Sequence, residues 1–275
     1  MKINKKYQIQ AYIFIGFIAL IFLLPLYWLI VSSIKPDVEI LKTPPSFVPI
    51  KVTIEHYLNA WKRLDYIRTF GNSLIVSTAT TILIILFSTM AGYVISKKKF
   101  AGKKMILSTV IATMIVPPTV LILPNFFIID RLGMADSLTG LILPFGVTSF
   151  GIFFMKQYMD DIPTSVIESA RIDGCGDFRI LFQIIFPLII PGVATLGLIE
   201  FVNNWNSFVM PLVLLKTESK FVLPLKLAAL STATDVPSWG LILAGNVLTI
   251  MPIVILFLLL QKFFIKGIMD GAVKE

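Results

Sequence analysis

Residues 168–191 read Glu-Ser-Ala-Arg-Ile-Asp-Gly-Cys-Gly-Asp-Phe-Arg-Ile-Leu-Phe-Gln-Ile-Ile-Phe-Pro-Leu-Ile-Ile-Pro. The first half is polar, charged and punctuated by Gly174 and Gly176. From Ile180 onward only Gln183 and Thr195 interrupt an apolar run that continues through Leu198 with no charge. A solvent-facing helix of a soluble domain alternates a polar and an apolar face. A helix that is apolar all round for about 20 residues is long enough to cross a bilayer. The stretch therefore reads as a polar surface turn running straight into a membrane span.

The rest of the chain agrees. Of 275 residues, 56% are hydrophobic and 15% charged, where a soluble domain carries about a quarter charged residues. The apolar residues fall in blocks near Ala11–Ile34, Ser73–Ile95, Met105–Ile129, Ser137–Met155, Ile184–Leu215 and Trp239–Phe264. The expectation is an all-α membrane protein with six transmembrane helices, several of them kinked or broken. Pro117, Pro118, Pro124, Pro144, Pro187, Pro191, Pro211 and Pro252 lie in or beside these blocks. Bilayer helices tolerate such breaks where protein or a water-filled cavity satisfies the freed backbone groups.

The net charge is +8, and its distribution matters more than its size. Lys2, Lys5 and Lys6 precede the first block, and Lys97, Lys98, Lys99, Lys103 and Lys104 crowd the second connection. The third connection holds only Arg131. Short loops dense in Lys and Arg stay cytoplasmic, so the N-terminus, loop 96–104 and the C-terminus with Lys262, Lys266 and Lys274 are expected inside, and loop 130–136 outside. Membrane lipid, not nucleic acid, is the partner this charge implies. The first apolar run exceeds the 7–15 residues of a signal-peptide core, and is expected to stay as an anchor. Cys175 is the sole cysteine, which excludes an internal disulfide and a cysteine-built metal site.

The chain divides into residues 1–70 (one span and an external loop), 71–265 (five spans) and a cytoplasmic tail at 266–275. In the external loop Pro36, Pro44, Pro45 and Pro49 favour extended backbone. Residues 54–68 mix Tyr57, Leu58, Trp61 and Tyr66 with charges, the pattern either of an interfacial amphipathic helix or of a short helix packed on the spans. The polar island belongs to a cytoplasmic hairpin at 160–183. Ser165 and Glu168 have capping-box spacing, with Asp161 as an alternative cap. Gly174 suits a left-handed C′ position, and Asp177 is expected to cap the second helix. There Phe178, Leu181, Phe182 and Ile185 make one apolar face, with Arg179 and Gln183 on another. Force on such a hairpin would pass into the fifth span.

Glu168-Ser169-Ala170-Arg171-Ile172-Asp173-Gly174, followed nine residues later by Ile184-Ile185-Phe186-Pro187, resembles the Glu-Ala-Ala loop of binding-protein-dependent ABC importer permeases. Asn72-Ser73-Leu74 at the start of a span and Ala91-Gly92-Tyr93 at its end resemble the opening of that family's core. Phe201-Val202-Asn203-Asn204-Trp205-Asn206-Ser207-Phe208 with Pro211-Leu212, and the tail Gln261-Lys262-Phe263-Phe264 with Gly267 and Gly271-Ala272-Val273-Lys274, resemble the carbohydrate-transporting branch, on the side of the maltose permease subunit. The likeness covers essentially the whole chain. Ser169 departs from the family's second Ala, and Cys175-Gly176 makes a looser turn.

The resemblance implies a type I importer permease whose loop is a short helix docked in a cleft of an ATPase, with Glu168, Ser169, Ala170, Asp173 and Gly174 in the coupling role. It also implies a second permease subunit in a heterodimer, two ATPase subunits and an extracytoplasmic solute-binding protein, all in the cell membrane. The chain carries no Gly-x-x-x-x-Gly-Lys-Ser/Thr phosphate cradle. No cofactor is therefore expected on it, with ATP and Mg on the partner ATPase. Glu200, Asn203, Asn204, Trp205 and Asn206 are the candidate substrate path, since amides beside an indole suit sugar hydroxyls and the apolar face of a pyranose. The alternative for each is polar glue between helices.

Two other classes fit the sequence less well. A membrane enzyme lacks support, because His56 is the sole histidine and Asp173 and Asp177 are separated by glycines. An ion-coupled transporter needs acids at membrane depth, and only Glu200 qualifies. An ABC importer of a non-carbohydrate solute is the nearest alternative.

Overall fold

The computed structural model describes residues 5–232 and 238–272, and every regular element in it is helical. In chain order these are α1 (Lys5–Ser33), α2 (Glu55–Arg63), α3 (Tyr66–Lys97), α4 (Lys103–Ile115), α5 (Ile122–Arg131), α6 (Leu138–Ile142), α7 (Ser149–Asp160), α8 (Thr164–Ile172), α9 (Asp177–Trp205, whose segment Ile180–Ile185 is π-helical), α10 (Val209–Leu214), α11 (Leu223–Thr232) and α12 (Trp239–Ala272). Single turns at 37–40, 118–121 and 218–220 link some of them.

Among the described residues, Tyr7–Ser33, Tyr66–Lys97, Asp177–Trp205 and Trp239–Leu259 are long and apolar enough to cross a membrane. Lys103–Ile115 and Pro118–Arg131 make a fifth crossing if the pair, bent by 93°, counts as one. The adjacent prolines 117 and 118 explain the bend, because neither offers an N–H to the helix ladder. The expected span at 137–155 is instead two short helices, α6 and α7, separated by Leu143–Thr148. Pro144 and Gly146 interrupt the ladder there, and each piece starts on its own cap: the Ser137 hydroxyl accepts from the Gly140 N–H at 3.1 Å and the Thr148 hydroxyl from the Gly151 N–H at 3.0 Å. The expected fifth span, 184–215, is displaced toward the N-terminus. It begins at Asp177 and stops at Trp205, and Pro211 falls in the separate helix α10. Of the tail at 266–275, the backbone through Ala272 continues α12; Val273, Lys274 and Glu275 lie outside the described residues, as does Lys2.

The chain forms two compact units. One comprises Met1–Tyr66 with Lys226–Pro252, the other Ile67–Leu225 with Ile253–Glu275. In the first, Ala60 and Leu64 are buried with Leu241 and Ala244. Within the 54–68 segment, Glu55–Arg63 is thus a packed helix that ends before α3 begins at Tyr66, while its Leu58 and Trp61 remain exposed. Around it, the Asp37 carboxylate accepts from Ser238 Oγ at 2.8 Å and the Gly240 N–H at 2.7 Å, and a His56 ring nitrogen bonds the Lys35 carbonyl at 3.0 Å.

The second unit has two cores. One gathers Met155 and Met159 of α7, Ile180, Ile185, Ile189 and Leu196 of α9, and Ile167 and Ala170 of α8. The other joins Val76, Ile129, Leu141, Leu214, Val222 and Leu225. Close packing of α7 on α9 is possible because residue 192 is glycine: a Cβ there would stand 2.7 Å from the Tyr158 ring. These contacts place the hairpin helix α8 directly on the α7–α9 core.

Candidate functional site

The hairpin closes by backbone alone. Asp173 is the C-cap of α8, and Gly174 follows at φ +79°, a conformation that costs a residue with a Cβ. The Gly174 N–H donates to the Arg171 carbonyl and the Cys175 N–H to the Ala170 carbonyl, each at 3.0 Å. This is the paired bonding of a Schellman turn, and it answers the expectation for Gly174. The expected caps differ. Pro163 holds the N-cap position of α8 with extended backbone (φ −58°, ψ 136°), and its ring has no acceptor to offer. That leaves Ser165 inside the first turn, so the Ser165–Glu168 box does not form and Asp161 is not the cap. Gly176 likewise holds the N-cap of α9. The Asp177 carboxylate turns to Lys98, with Arg171 Nη2 at 3.8 Å.

The root of the hairpin is fixed to the end of α3. Lys97 Nζ donates to the Ile162 carbonyl at 2.6 Å, and Ser96 Oγ donates to the Asp160 carboxylate at 2.6 Å. Lys156 pairs with the same carboxylate at 2.6 Å. Partial burial pushes the Asp160 carboxyl upward, but the bonds from Lys156 and Ser96 outweigh it and hold the group below the usual carboxylate range.

One face of α8 is sunk and the other is free. Ile167 and Ala170 are buried, whereas Glu168, Ser169 and Asp173 are exposed. Ala170 is therefore a foot of the helix. Ile172, at 87% exposure, and Phe178 stand out beside the exposed polar residues. Sequence reading did not single out Ile172, and it set Phe178 on one apolar face with Leu181, Phe182 and Ile185, of which only Leu181 and Ile185 are buried. The available signal was that Ile172 falls at i+7 from Ser165 and i+4 from Glu168, an apolar residue on a polar face. Beyond Gly176 the chain passes directly into the π-helical segment, which buries Ile180, Leu181 and Ile185. Such segments recur at functional points in helices.

At the other end of α9 lies a cavity of about 330 Å³. Of the five expected path residues, Glu200, Asn203 and Asn204 line it. Glu200 is 5% exposed and accepts from Thr148 Oγ1 at 3.1 Å. The Asn204 amide donates to the Glu200 carbonyl at 2.7 Å. Trp205 and Asn206 do not line it. Trp205 is 1% exposed and wedged between Phe201 and Phe70, with both ring centroids at 5.7 Å. In this structure the indole is a packing group, and the pairing of amides with an indole is not presented to the cavity. Asn206 is the exposed C-cap of α9.

The cavity also contains residues that sequence reading did not select: Ser73 and Ser77 of α3, Thr148 and Ser207. The signal on α3 is a row at i, i+4, i+7 and i+15, Ser73, Ser77, Thr80 and Ser88, all buried. Ser73 Oγ accepts from the Leu223 N–H at 2.7 Å, while the hydroxyls of Ser77, Thr80 and Ser88 have no partner among the described residues.

Leu141, Met210, Pro211 and Val222 contribute apolar wall to the cavity. The elements bearing them are tied together by Asp136, whose carboxylate accepts from the N–H groups of Lys216 and Thr217 at 2.9 Å, from Thr217 Oγ1 at 2.6 Å and from Lys220 Nζ at 3.0 Å. The Thr217 hydroxyl and amide, then the Lys216 amide and Lys220, hold this carboxyl well below the usual range. Among the described residues no cluster of three or more His, Cys, Asp or Glu side chains could hold a metal ion.

Comparison with known proteins follows the same geometry. The model of a family described as "Binding-protein-dependent transport system inner membrane component" matches residues 84–270. The arabinooligosaccharides transport system permease protein AraQ of Bacillus subtilis (strain 168) is 34% identical over 271 residues, covering 98% of this chain and 96% of its own. The galactooligosaccharides transport system permease protein GanQ of the same organism is 31% identical over 280 residues, covering 100% of this chain and 98% of its own. Among solved structures, a chain of a bacterial ABC transporter involved in the import of the acidic polysaccharide alginate shares the fold. Its TM-score is 0.81 at 23% identity, over 96% of this chain and 98% of that one.

Proposed function

The chain belongs to the family of binding-protein-dependent transport system inner membrane components, and from that premise we propose how its two sites divide the work of transport. It is a multi-pass permease subunit of a carbohydrate ABC importer, and not itself an enzyme; hydrolysis of ATP is the task of a separate ATPase subunit. The exposed face of α8, with Glu168, Ser169, Ile172 and Asp173, is the surface on which that ATPase bears. ATP and Mg reside on the ATPase. A second, homologous permease completes a heterodimer, two ATPase subunits serve the pair, and both termini and the hairpin face the cytoplasm. A solute-binding protein delivers the sugar from the other side.

One observation carries this reading. The hairpin offers a free polar face, yet its opposite face is locked into the core of α7 and α9 through Ile167 and Ala170. A push on α8 therefore moves the helix that bears Glu200, Asn203 and Asn204. ATP binding would act as a ligand that favours one of two arrangements of the permease, and can shift the balance only by its differential affinity for them. The hydroxyls and amides of the cavity suit sugar hydroxyls, in keeping with the oligosaccharides named for the relatives.

The test is co-purification of the assembled transporter carrying Gly174→Pro or Glu168→Lys. Proline cannot adopt the positive φ of residue 174 and removes its N–H, and Glu168→Lys inverts the charge of the free face. Loss of the ATPase, or hydrolysis no longer stimulated by substrate, is expected in each. Unaltered coupling in both removes the hairpin from the mechanism.

A further inference from the structure

The fold leaves the charge of the transported sugar open, because a solved transporter of this fold is involved in the import of an acidic polysaccharide. The cavity speaks to this point. Its polar groups are the hydroxyls of Ser73, Ser77, Thr148 and Ser207, the amides of Asn203 and Asn204, and the carboxyl of Glu200; among the described residues that line it there is no Lys, Arg or His. Glu200 is 5% exposed and Ser77 is 1% exposed. The Ser77 hydroxyl is buried and has no partner among the described residues. Glu200 is bonded by the Thr148 hydroxyl, a neutral group. The volume of about 330 Å³ is at the small end of ligand pockets.

Resting on the reading of this cavity as substrate path, we propose that it is a subsite for one uncharged sugar ring and that it rejects uronate, sulfonate and phosphate sugars. The physical reason is desolvation. An anion entering the cavity gives up its water and finds no counter-charge among the described residues, and burying an unpaired charge is the most costly form of desolvation. A neutral ring meets donors and acceptors that can satisfy its hydroxyls in pairs, beside the apolar wall of Val76, Ile84 and Phe145. The discrimination belongs to this subunit and is separate from the choice made by a solute-binding protein.

The experiment uses the assembled transporter in proteoliposomes, with Cys175→Ser to remove the native thiol. Ser77→Cys, a near-isosteric change, is the probe position, and Ser207→Cys is a second in case the first does not assemble. Methanethiosulfonate reagents of neutral, cationic and anionic type are reacted with each, with and without ATP and vanadate. Each rate is divided by that reagent's rate with mercaptoethanol. The anionic reagent is expected to be slowed by about tenfold or more relative to the neutral one, a modest effect for a charge without a partner. In the same background, Asn203→Lys, which adds a cation to the wall, should restore the anionic rate. Anionic labelling as fast as neutral labelling, at both positions, overturns the selectivity while leaving the path intact. No labelling by any reagent at either position in either nucleotide state shows instead that the cavity is not on the path, and overturns both.

Discussion

The hairpin at 164–174 and the cavity beside Glu200 sit at opposite ends of one helix, and they are built in opposite ways. The hairpin is closed between near neighbours: its decisive bonds, Gly174 to Arg171 and Cys175 to Ala170, span three and five positions. The cavity is made from residues as far apart as Ser73 and Val222. Its polar ties include Thr148 to Glu200, 52 residues apart, and Leu223 to Ser73, 150 apart. A local device can be damaged by one backbone change and leave the fold standing. A long-range device fails when its walls shift, so most changes near it read first as loss of stability. The contrast predicts which substitutions separate assembly from coupling.

The largest effect is expected at the cavity end, from Trp205→Ala. Removing an aromatic ring buried between Phe70 and Phe201 should cost about 3–5 kcal/mol. Thermal unfolding in detergent should show it, and an unchanged midpoint would mean that the indole is not a packing group. Next comes Gly174→Pro, which should leave the unfolding midpoint nearly intact and reduce substrate-stimulated hydrolysis by about tenfold or more. Gly174→Asn should recover much of the loss, since Asn tolerates the left-handed region. Equal damage by Pro and Asn would show that the turn conformation is not what matters. Asn204→Ala sharpens the comparison from the other side. It removes the amide bond to the Glu200 carbonyl, worth about 1 kcal/mol, and should lower uptake severalfold while the complex still assembles. Normal uptake kinetics would detach Asn204 from the path.

The smallest effect is expected at Asp136. Its carboxyl is held below its ordinary value, so its contribution to stability is complete above that value and is lost as pH falls through the still lower value of the folded protein. Between about pH 5 and 8 this group adds no pH dependence. Asp136→Asn should weaken its bonds to the Lys216 and Thr217 amides and raise their hydrogen exchange at neutral pH. It should also flatten the acid side of the stability profile. Protection unchanged in the variant would show that the tie is not formed in solution.

The hairpin was legible because its signals are short-range. A glycine that must adopt positive φ and a polar run before an apolar one are features of neighbouring residues. The caps were misassigned for the same reason in reverse: Pro163 occupies the capping position that Ser165 and Asp161 were candidates for, and composition alone does not rank them. Glu200, Asn203 and Asn204 were visible as polar residues in an apolar block. Trp205 was grouped with them by adjacency, although one residue along a helix is a rotation of 100° and points to a different neighbourhood. Ser77, Thr148 and Ser207 are unremarkable in sequence, since a hydroxyl in a span has several local uses.

The sequence alone determined that this is a helical membrane protein, that its apolar blocks are interrupted by prolines, and that a charged, glycine-closed hairpin precedes the span that bears Glu200. Those properties follow from transfer energies and backbone sterics, which act residue by residue. Only the tertiary structure decided that the block at 137–155 breaks into two capped helices, which face of α8 stays free, and which polar side chains share a cavity. Each of these depends on what distant segments bury, and burial is a property of the packed chain.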